Sequence, residues 1–250
     1  MPTDHLAEPD WQLPNAEMDL PRSEVHVWRA RLDQPHALAN WLNTLAPDER
    51  ERAARFHFQK DRDHFITARA LLRAILSTYL KVRPDHLSFG YTAHGKPFLV
   101  GANGGDVRFN VSHSHGLALF AVARVRDLGV DLEYMRPEVA GEQIAERFFS
   151  ATEVASLRAL PVSQQTEAFF NCWTRKEAYI KARGEGLSHP LHQFDVSLVP
   201  GEPAALLQTR DAANEVSRWA MLELAPGAGF RAALVAEGSG WQIRRWQWPD

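Results

Sequence analysis

Three acidic side chains and one lysine hold most of the chemistry available to this sequence. Asp131 and Glu133 alternate with Val130 and Leu132 in the run Gly129-Val130-Asp131-Leu132-Glu133-Tyr134, so a strand would put both carboxylates on one face. Glu177 lies in Trp173-Thr174-Arg175-Lys176-Glu177-Ala178-Tyr179-Ile180-Lys181. Phe169, Trp173 and Ile180 repeat there at helical spacing, and Glu177 falls inside their apolar stripe, with Lys181 one turn on. A carboxylate among core-facing side chains costs free energy unless a cation partners it. Hard divalent cations take oxygen ligands, and Mg2+ commonly joins one or two carboxylates to phosphate oxygens. Plainer readings stand beside this one. Glu177 and Lys181 fit a solvated pair worth about 0.3 kcal/mol, and Asp131 and Glu133 fit the wet face of an amphipathic strand.

Other polar groups are weaker signals. In Phe109-Asn110-Val111-Ser112-His113-Ser114-His115, His113 fits a hydrogen-bonded structural residue or a phosphate donor. With His115 and Asp131 it could also mimic a transition-metal site, which would need further ligands. Arg50, Arg52, Arg55, Lys60, Arg62, Arg69 and Arg73 crowd one stretch. That is either a solvated helix face or, if the cations converge, a phosphate site. Lys96 sits in a Gly95-Lys96-Pro97 turn.

The elements that would position these groups follow from patterning. Val25 to Ala30 alternates as a strand, His36 to Leu45 and Asp63 to Leu80 repeat as helices, and Leu117 to Ala123 is an apolar run bounded as a buried strand. A helix over 138–149 follows the acidic strand. Ser150-Ala151-Thr152-Glu153 is a capping box for the next helix, to Pro161, and the Glu177 helix runs from about Thr166 to Arg183. It ends at the glycine-rich 184–188. Phe194 to Val199, Trp219 to Leu224 and Phe230 to Val235 read as an antiparallel sheet. The order of elements repeats, which predicts an α+β fold of two similar halves related by a pseudo-two-fold axis. Each half is a small, mainly antiparallel sheet with packed helices, and the active site lies in the cleft between them. The expected divisions are a loosely held, proline-bearing N-terminal extension over 1–24, then halves over 25–126 and 127–250.

Composition bounds the class. The 250 residues are 45% hydrophobic and 24% charged, with a formal charge of −3. That is an ordinary globular balance and not that of a general nucleic-acid binder. A single cysteine, Cys172, excludes an internal disulfide or a thiolate zinc cluster and reads as a buried apolar group. No apolar run reaches membrane-spanning length and the N-terminus has no signal-peptide pattern, so the expectation is a cytoplasmic protein without a membrane partner.

Taken together, Phe109-Asn110-Val111-Ser112-His113-Ser114, Gly129-Val130-Asp131-Leu132-Glu133 and Trp173 to Lys181 resemble the signature of the surfactin-synthetase-activating (Sfp-like) 4′-phosphopantetheinyl transferases. That signature is (I/V)-G-(I/V)-D-x-E followed by W-x-x-K-E-A/S-x-x-K, and Leu128 departs from it conservatively. Gly95-Lys96-Pro97, Arg147 to Ser150 and Gly184 to Ser188 are similar as well. The resemblance implies Mg2+-dependent transfer of phosphopantetheine from coenzyme A to a serine of an apo acyl, polyketide or peptidyl carrier protein, releasing 3′,5′-ADP. It implies Asp131, Glu133 and Glu177 as ligands of Mg2+. Glu133 is the least constrained of the three, since some members lack an acid there. Glu177, or a water bridging from it, would be the general base, and Lys181 would neutralise phosphate charge. His113 and Ser112 would contact the pyrophosphate and 3′-phosphate, and Lys96 would lie near the nucleotide. From the basic run, Arg55 and Lys60 are the chosen phosphate contacts, with Arg69 and Arg73 structural. The carrier would meet Phe148, Phe149 and Arg147. Duplicated halves let a monomer form the cleft.

Two other classes compete. A different Mg2+-dependent phosphoryl or nucleotidyl transferase calls for a nucleotide fingerprint such as G-x-x-x-x-G-K-[ST], which this sequence lacks. A non-catalytic carrier- or coenzyme A-binding module predicts loss of the acids, yet all are present.

Overall fold

The computed structural model describes residues 11–15, 18–101, 104–186, 189–210 and 214–249. In chain order it runs β1 (Glu24–Arg31), α1 (Leu38–Thr44), α2 (Pro47–Ala54), α3 (Gln59–Leu80), β2 (Phe89–Tyr91), β3 (Pro97–Leu99), β4 (Val107–Ser114), β5 (Leu117–Arg124) and β6 (Leu128–Tyr134). It continues with α4 (Glu142–Phe148), α5 (Ala151–Ala159), α6 (Val162–Arg183), β7 (Phe194–Val196), β8 (Leu206–Thr209), α7 (Glu215–Arg218), β9 (Trp219–Leu224), β10 (Phe230–Glu237) and β11 (Gln242–Gln247). The larger sheet has the order β11-β1-β5-β4 and the next β6-β10-β9, while β2-β3 and β7-β8 are small pairs. All pairings are antiparallel except β1 with β11. Among the described residues no helix is long and apolar enough to cross a membrane.

Alternation along β5 builds the layers. Ala118, Phe120 and Val122 pack under α3 with Trp28, Leu72, Ile75 and Leu76. Leu119, Ala121 and Ala123 face the other way, against Val130 and Leu132 of β6 and Leu234 of β10. Because both faces are covered, the strand reads as an unbroken apolar run. The second sheet in turn offers Ala233 and Val235 to Phe169, Tyr179 and Ile180 of α6. The chain is therefore an α+β stack: helix, sheet, sheet, helix.

Two features depart from the pattern reading. Residues 11–15 and 18–24 are docked, not loose: Leu20 and Met18 are buried in the first core, and the Trp11 indole donates to the Ala225 carbonyl at 3.0 Å. Residues 1–10 lie outside the described residues. The C-terminal runs do not form one sheet, since β7 pairs with β8 apart from β9 and β10. The closing strand β11, unread from sequence, returns to the first sheet. The capping box is present as read: Ser150 Oγ accepts from Glu153 N at 3.2 Å, and a Glu153 oxygen accepts from Ser150 N at 2.8 Å.

Candidate functional site

Gly129 sets how closely the two catalytic elements approach. A Cβ there would lie at 2.9 Å or less from the Ala178 carbonyl oxygen, the Ala182 amide nitrogen and the Lys181 carbonyl carbon. Its φ is not of the left-handed kind, so glycine is required for space and not for conformation. Backbone on backbone, α6 lies across β6. Val130 and Leu132 enter the middle core, and period two turns Asp131 and Glu133 to the opposite face, beside Glu177 and Lys181.

The result is a tight cluster. Lys181 Nζ donates to Asp131 Oδ1 at 2.6 Å, to Ser112 Oγ at 3.1 Å and to the Val130 carbonyl at 3.3 Å. Ser112 is buried and its hydroxyl donates to Asp131 Oδ1 at 2.9 Å. Ser114 Oγ donates to Glu133 Oε2 at 3.0 Å. Glu177 is half-buried. Burial, and then the charges of Asp131 and Glu133, push its carboxyl up to about 7 against the pull of Lys181. Burial and Asp131 raise Glu133 as well. Asp131 has thus been brought close enough to Glu133 and Glu177 to oppose their ionisation.

This donor set fits a hard divalent cation. Asp131 is buried, and its Oδ2 has no hydrogen-bond partner among the described residues. A buried anionic oxygen left alone is costly. Two neighbouring carboxylates hindered from ionising are what a bound cation would relieve. Among the described residues the side chains are not gathered at ligand distance, and the Lys181 ammonium supplies the cation at Asp131 Oδ1. Asp131 Oδ2, Glu133 and Glu177 are the oxygens that would hold a metal.

Around this centre the other expected residues divide. His113 is exposed on β4, and its imidazole pKa is lowered by partial loss of water and by the positive charges of Lys181 and His64. It lines a cavity of about 230 Å3 with Arg52, Arg69, Tyr91 and Phe65. A second cavity of about 220 Å3, bounded by Lys181, Asn110, His94 and Gly186, shares the Gly95–Pro97 turn with it. Leu187 and Ser188 lie outside the described residues.

Arg55 and Lys60, the cations chosen from sequence, do not reach that cavity. Arg55 is exposed and stands 4.0 Å from Glu51, while Lys60 lines a separate cavity with Asp63 and His64. The turn between α2 and α3 carries both away, and nothing in a run of arginines reveals which side the turn takes. Arg52 stacks on Phe65. Arg73 is buried and pairs with Glu49 at 2.8 Å, as expected of a structural arginine. Arg69 also pairs with Glu49, lies over Phe89, and donates to the Tyr91 hydroxyl at 2.8 Å. It is therefore held by Glu49, as expected of a structural arginine, and stands at the cavity wall as well. Phe149 is buried in the core. That leaves half-buried Phe148, with Arg147 over its ring, for any contact with a carrier.

Lys96, which lines the second cavity, is also bound into the scaffold. Its ammonium donates to the carbonyls of Lys181 at 2.6 Å, Leu128 at 3.1 Å and Ala182 at 3.2 Å. Two of these are C-terminal carbonyls of α6, where a cation is favoured. Burial lowers the lysine pKa to about 8, against carbonyl partners that favour the charged form. Lys96 thereby ties the β2–β3 turn to both catalytic elements. Lys96→Met is expected to destabilise the protein by about 1–3 kcal/mol, seen as a lower urea midpoint, with a much smaller effect on kcat.

Similarity to known proteins agrees with this geometry. The family described as "4′-phosphopantetheinyl transferase superfamily" matches residues 127–235, and "4′-phosphopantetheinyl transferase, N-terminal" matches residues 27–124. The 4′-phosphopantetheinyl transferase HetI of Nostoc sp. is 43% identical over 245 residues, covering 95% of this chain and 98% of that protein. A 4′-phosphopantetheinyl transferase of Bacillus subtilis is 35% identical over 70% of this chain and 77% of its own length. The transferase Sfp of Bacillus subtilis strain 168 is 32% identical over 63% of this chain and 68% of its own. With both halves matched, and with a relative aligned along nearly its whole length, the chain belongs to the 4′-phosphopantetheinyl transferase superfamily.

Proposed function

We propose that the cluster of Asp131, Glu133, Glu177 and Lys181 is the centre at which phosphopantetheine moves from coenzyme A to a carrier-protein serine. The chain is a 4′-phosphopantetheinyl transferase, acting on coenzyme A and carrier proteins. The single observation that carries the site assignment is the buried, partnerless Asp131 Oδ2 beside two carboxylates whose ionisation Asp131 opposes. Asp131, Glu133 and Glu177 would hold Mg2+, whose role when bound is to offset charge on the pyrophosphate oxygens. The halves are taken as 25–126 and 127–250, with the last strand of the second lying in the sheet of the first. Since the cluster is built within one chain, a monomer suffices. A cytoplasmic location accords with its substrates.

The residues divide the work as follows. Arg52, Arg69 and His113 bind the 3′-phosphate side of coenzyme A in the cavity they line. Lys181 holds Asp131 and faces the pyrophosphate. Ser112 keeps Asp131 and Lys181 together. Glu177, poised near 7, takes the proton of the carrier serine directly or through one water. The serine oxygen bonds to the phosphorus that carries pantetheine, and the bridging P–O bond breaks. The departing group is 3′,5′-ADP. Phe148 and Arg147 face the carrier.

Incubation with coenzyme A, Mg2+ and an apo carrier tests this, read by intact mass. The carrier should gain one phosphopantetheine for each 3′,5′-ADP released; no gain across acyl, polyketide and peptidyl carriers would refute the activity. Arg52→Ala is expected to raise KM for coenzyme A about tenfold, since a charge-assisted contact contributes about 1.5–3 kcal/mol. The effect should vanish with 3′-dephospho-coenzyme A as substrate. Arg55→Ala and Lys60→Ala should match the wild type.

A further inference from the structure

The seam between the two sheets is joined by side chains, and these same side chains hold the acids. β6 is paired along one edge by β10. The amides of Val130, Leu132 and Tyr134 point from its other edge toward β4, which belongs to the other sheet. Each is met by a side chain of β4. Asn110 Oδ1 accepts from Val130 N at 2.9 Å, Ser112 Oγ from Leu132 N at 3.2 Å, and Ser114 Oγ from Tyr134 N at 3.1 Å. The rungs advance by two residues on both strands, matching the pleat of each. They satisfy an edge that would otherwise be left bare inside the molecule.

The choice of rung residue follows what precedes each amide on β6. Before Leu132 stands Asp131, and before Tyr134 stands Glu133. At both positions the rung is a serine, whose single oxygen accepts the amide proton and whose own proton goes to the carboxylate, at 2.9 Å and 3.0 Å. Before Val130 stands Gly129, which has no carboxylate, and there the rung is Asn110. A hydroxyl serves where one atom must both accept and donate; an amide oxygen suffices where it need only accept.

We propose that Ser114 is a positioning residue: it fixes one oxygen of Glu133 to the β4 side of the seam, so that Glu133 meets the metal in a preset orientation. This rests on the metal reading given above. Groups that orient metal ligands commonly change affinity by about 10–100-fold. Ser114 carries no contact to coenzyme A in the mechanism above, so its effect is separable from substrate binding.

The test is titration of the full chain with Mn2+ alone, without coenzyme A, read by electron paramagnetic resonance. Hydrogen exchange at the Tyr134 amide is measured in parallel without metal. Ser114→Ala should weaken Mn2+ binding about tenfold or more and speed exchange at Tyr134. Ser114→Thr, which keeps the hydroxyl, should stay within about twofold of wild type on both readouts. Ser114→Val, its near-isostere without the hydroxyl, should behave as Ala does and replaces it if Ala does not fold; failure of Val to fold where Thr folds would make Ser114 a folding residue and overturn the proposal. Unchanged Mn2+ affinity in Ser114→Ala or Ser114→Val would overturn it alone, leaving the metal assignment intact. Absence of Mn2+ binding in the wild type would overturn the metal assignment and this inference with it.

Discussion

Replacing Glu177 by Gln is expected to cut kcat/KM for carrier modification by about 10³-fold while making the metal-free protein harder to melt. On the proposed role of Glu177, the first effect comes from deleting an anionic oxygen and a proton acceptor at the point where charge develops. Removing one such preorganised group costs about 10²–10³-fold on its own. The second comes from the electrostatics of the cluster. Burial, Asp131 and Glu133 push the Glu177 carboxyl up to about 7. A carboxyl raised in the folded state favours folding when protonated and opposes it when charged, so its ionised form works against stability above that value. The neutral, near-isosteric amide removes the opposition. At pH 8 without metal the variant should melt above the wild type, and Mg2+ should raise its melting temperature less. A variant that lost activity and stability together would point to Glu177 as a structural residue.

Gly129→Ala is expected to damage the fold and the site at once. The added methyl meets three backbone atoms of α6 at 2.9 Å or less, and backbone cannot rotate away as a side chain would. Overpacking of this kind costs about 1–3 kcal/mol and sometimes more. In a chain of this length each kcal/mol lowers the melting temperature by about 2–4 °C. Since α6 has to lift for the methyl to fit, Glu177 and Lys181 withdraw from Asp131, and activity should fall further than stability predicts. Gly141 provides the control. A Cβ there approaches nothing nearer than the Val139 carbonyl at 3.9 Å, so Gly141→Ala, at the N-cap of α4, should lose no more than about 1 kcal/mol and turn over like the wild type. Equal behaviour of the two variants would refute the close-packing account.

Much of this was legible in the residues. The Asp131–Glu133 alternation placed both acids on one face because strand period is a local property, and Glu177 stood out as a charge within an apolar helical stripe. What stayed hidden depended on turns and on long-range pairing. Whether Arg52 or Arg55 faces the cavity beside His113 depends on how α2 is set against α3. Arg69 is placed by the buried Glu49, a partner twenty residues away. Lys96 reads as an exposed turn lysine, because its carbonyl partners come from elements that meet only in the folded chain. The Asn110, Ser112 and Ser114 rungs show as alternating small polar residues in a strand, which equally describes a wet sheet face. The closing strand Gln242–Gln247 was missed because its residues are mixed and largely accessible, and only its pairing identifies it.

That closing strand bears on how the protein is made. The strand it flanks, Glu24–Arg31, leaves the ribosome well before its parallel neighbour, Gln242–Gln247. Trp246, within that neighbour, belongs to the same cluster as Trp28 and Tyr79. The early sheet must therefore wait, with a raw border and an unfinished interior, until Gln242–Gln247 has emerged. Contacts so distant in sequence slow folding and lengthen exposure to aggregation. Completion of the first sheet is thus tied to synthesis of that strand, and a product stopped short of Gln242 would lack the flank of its oldest sheet.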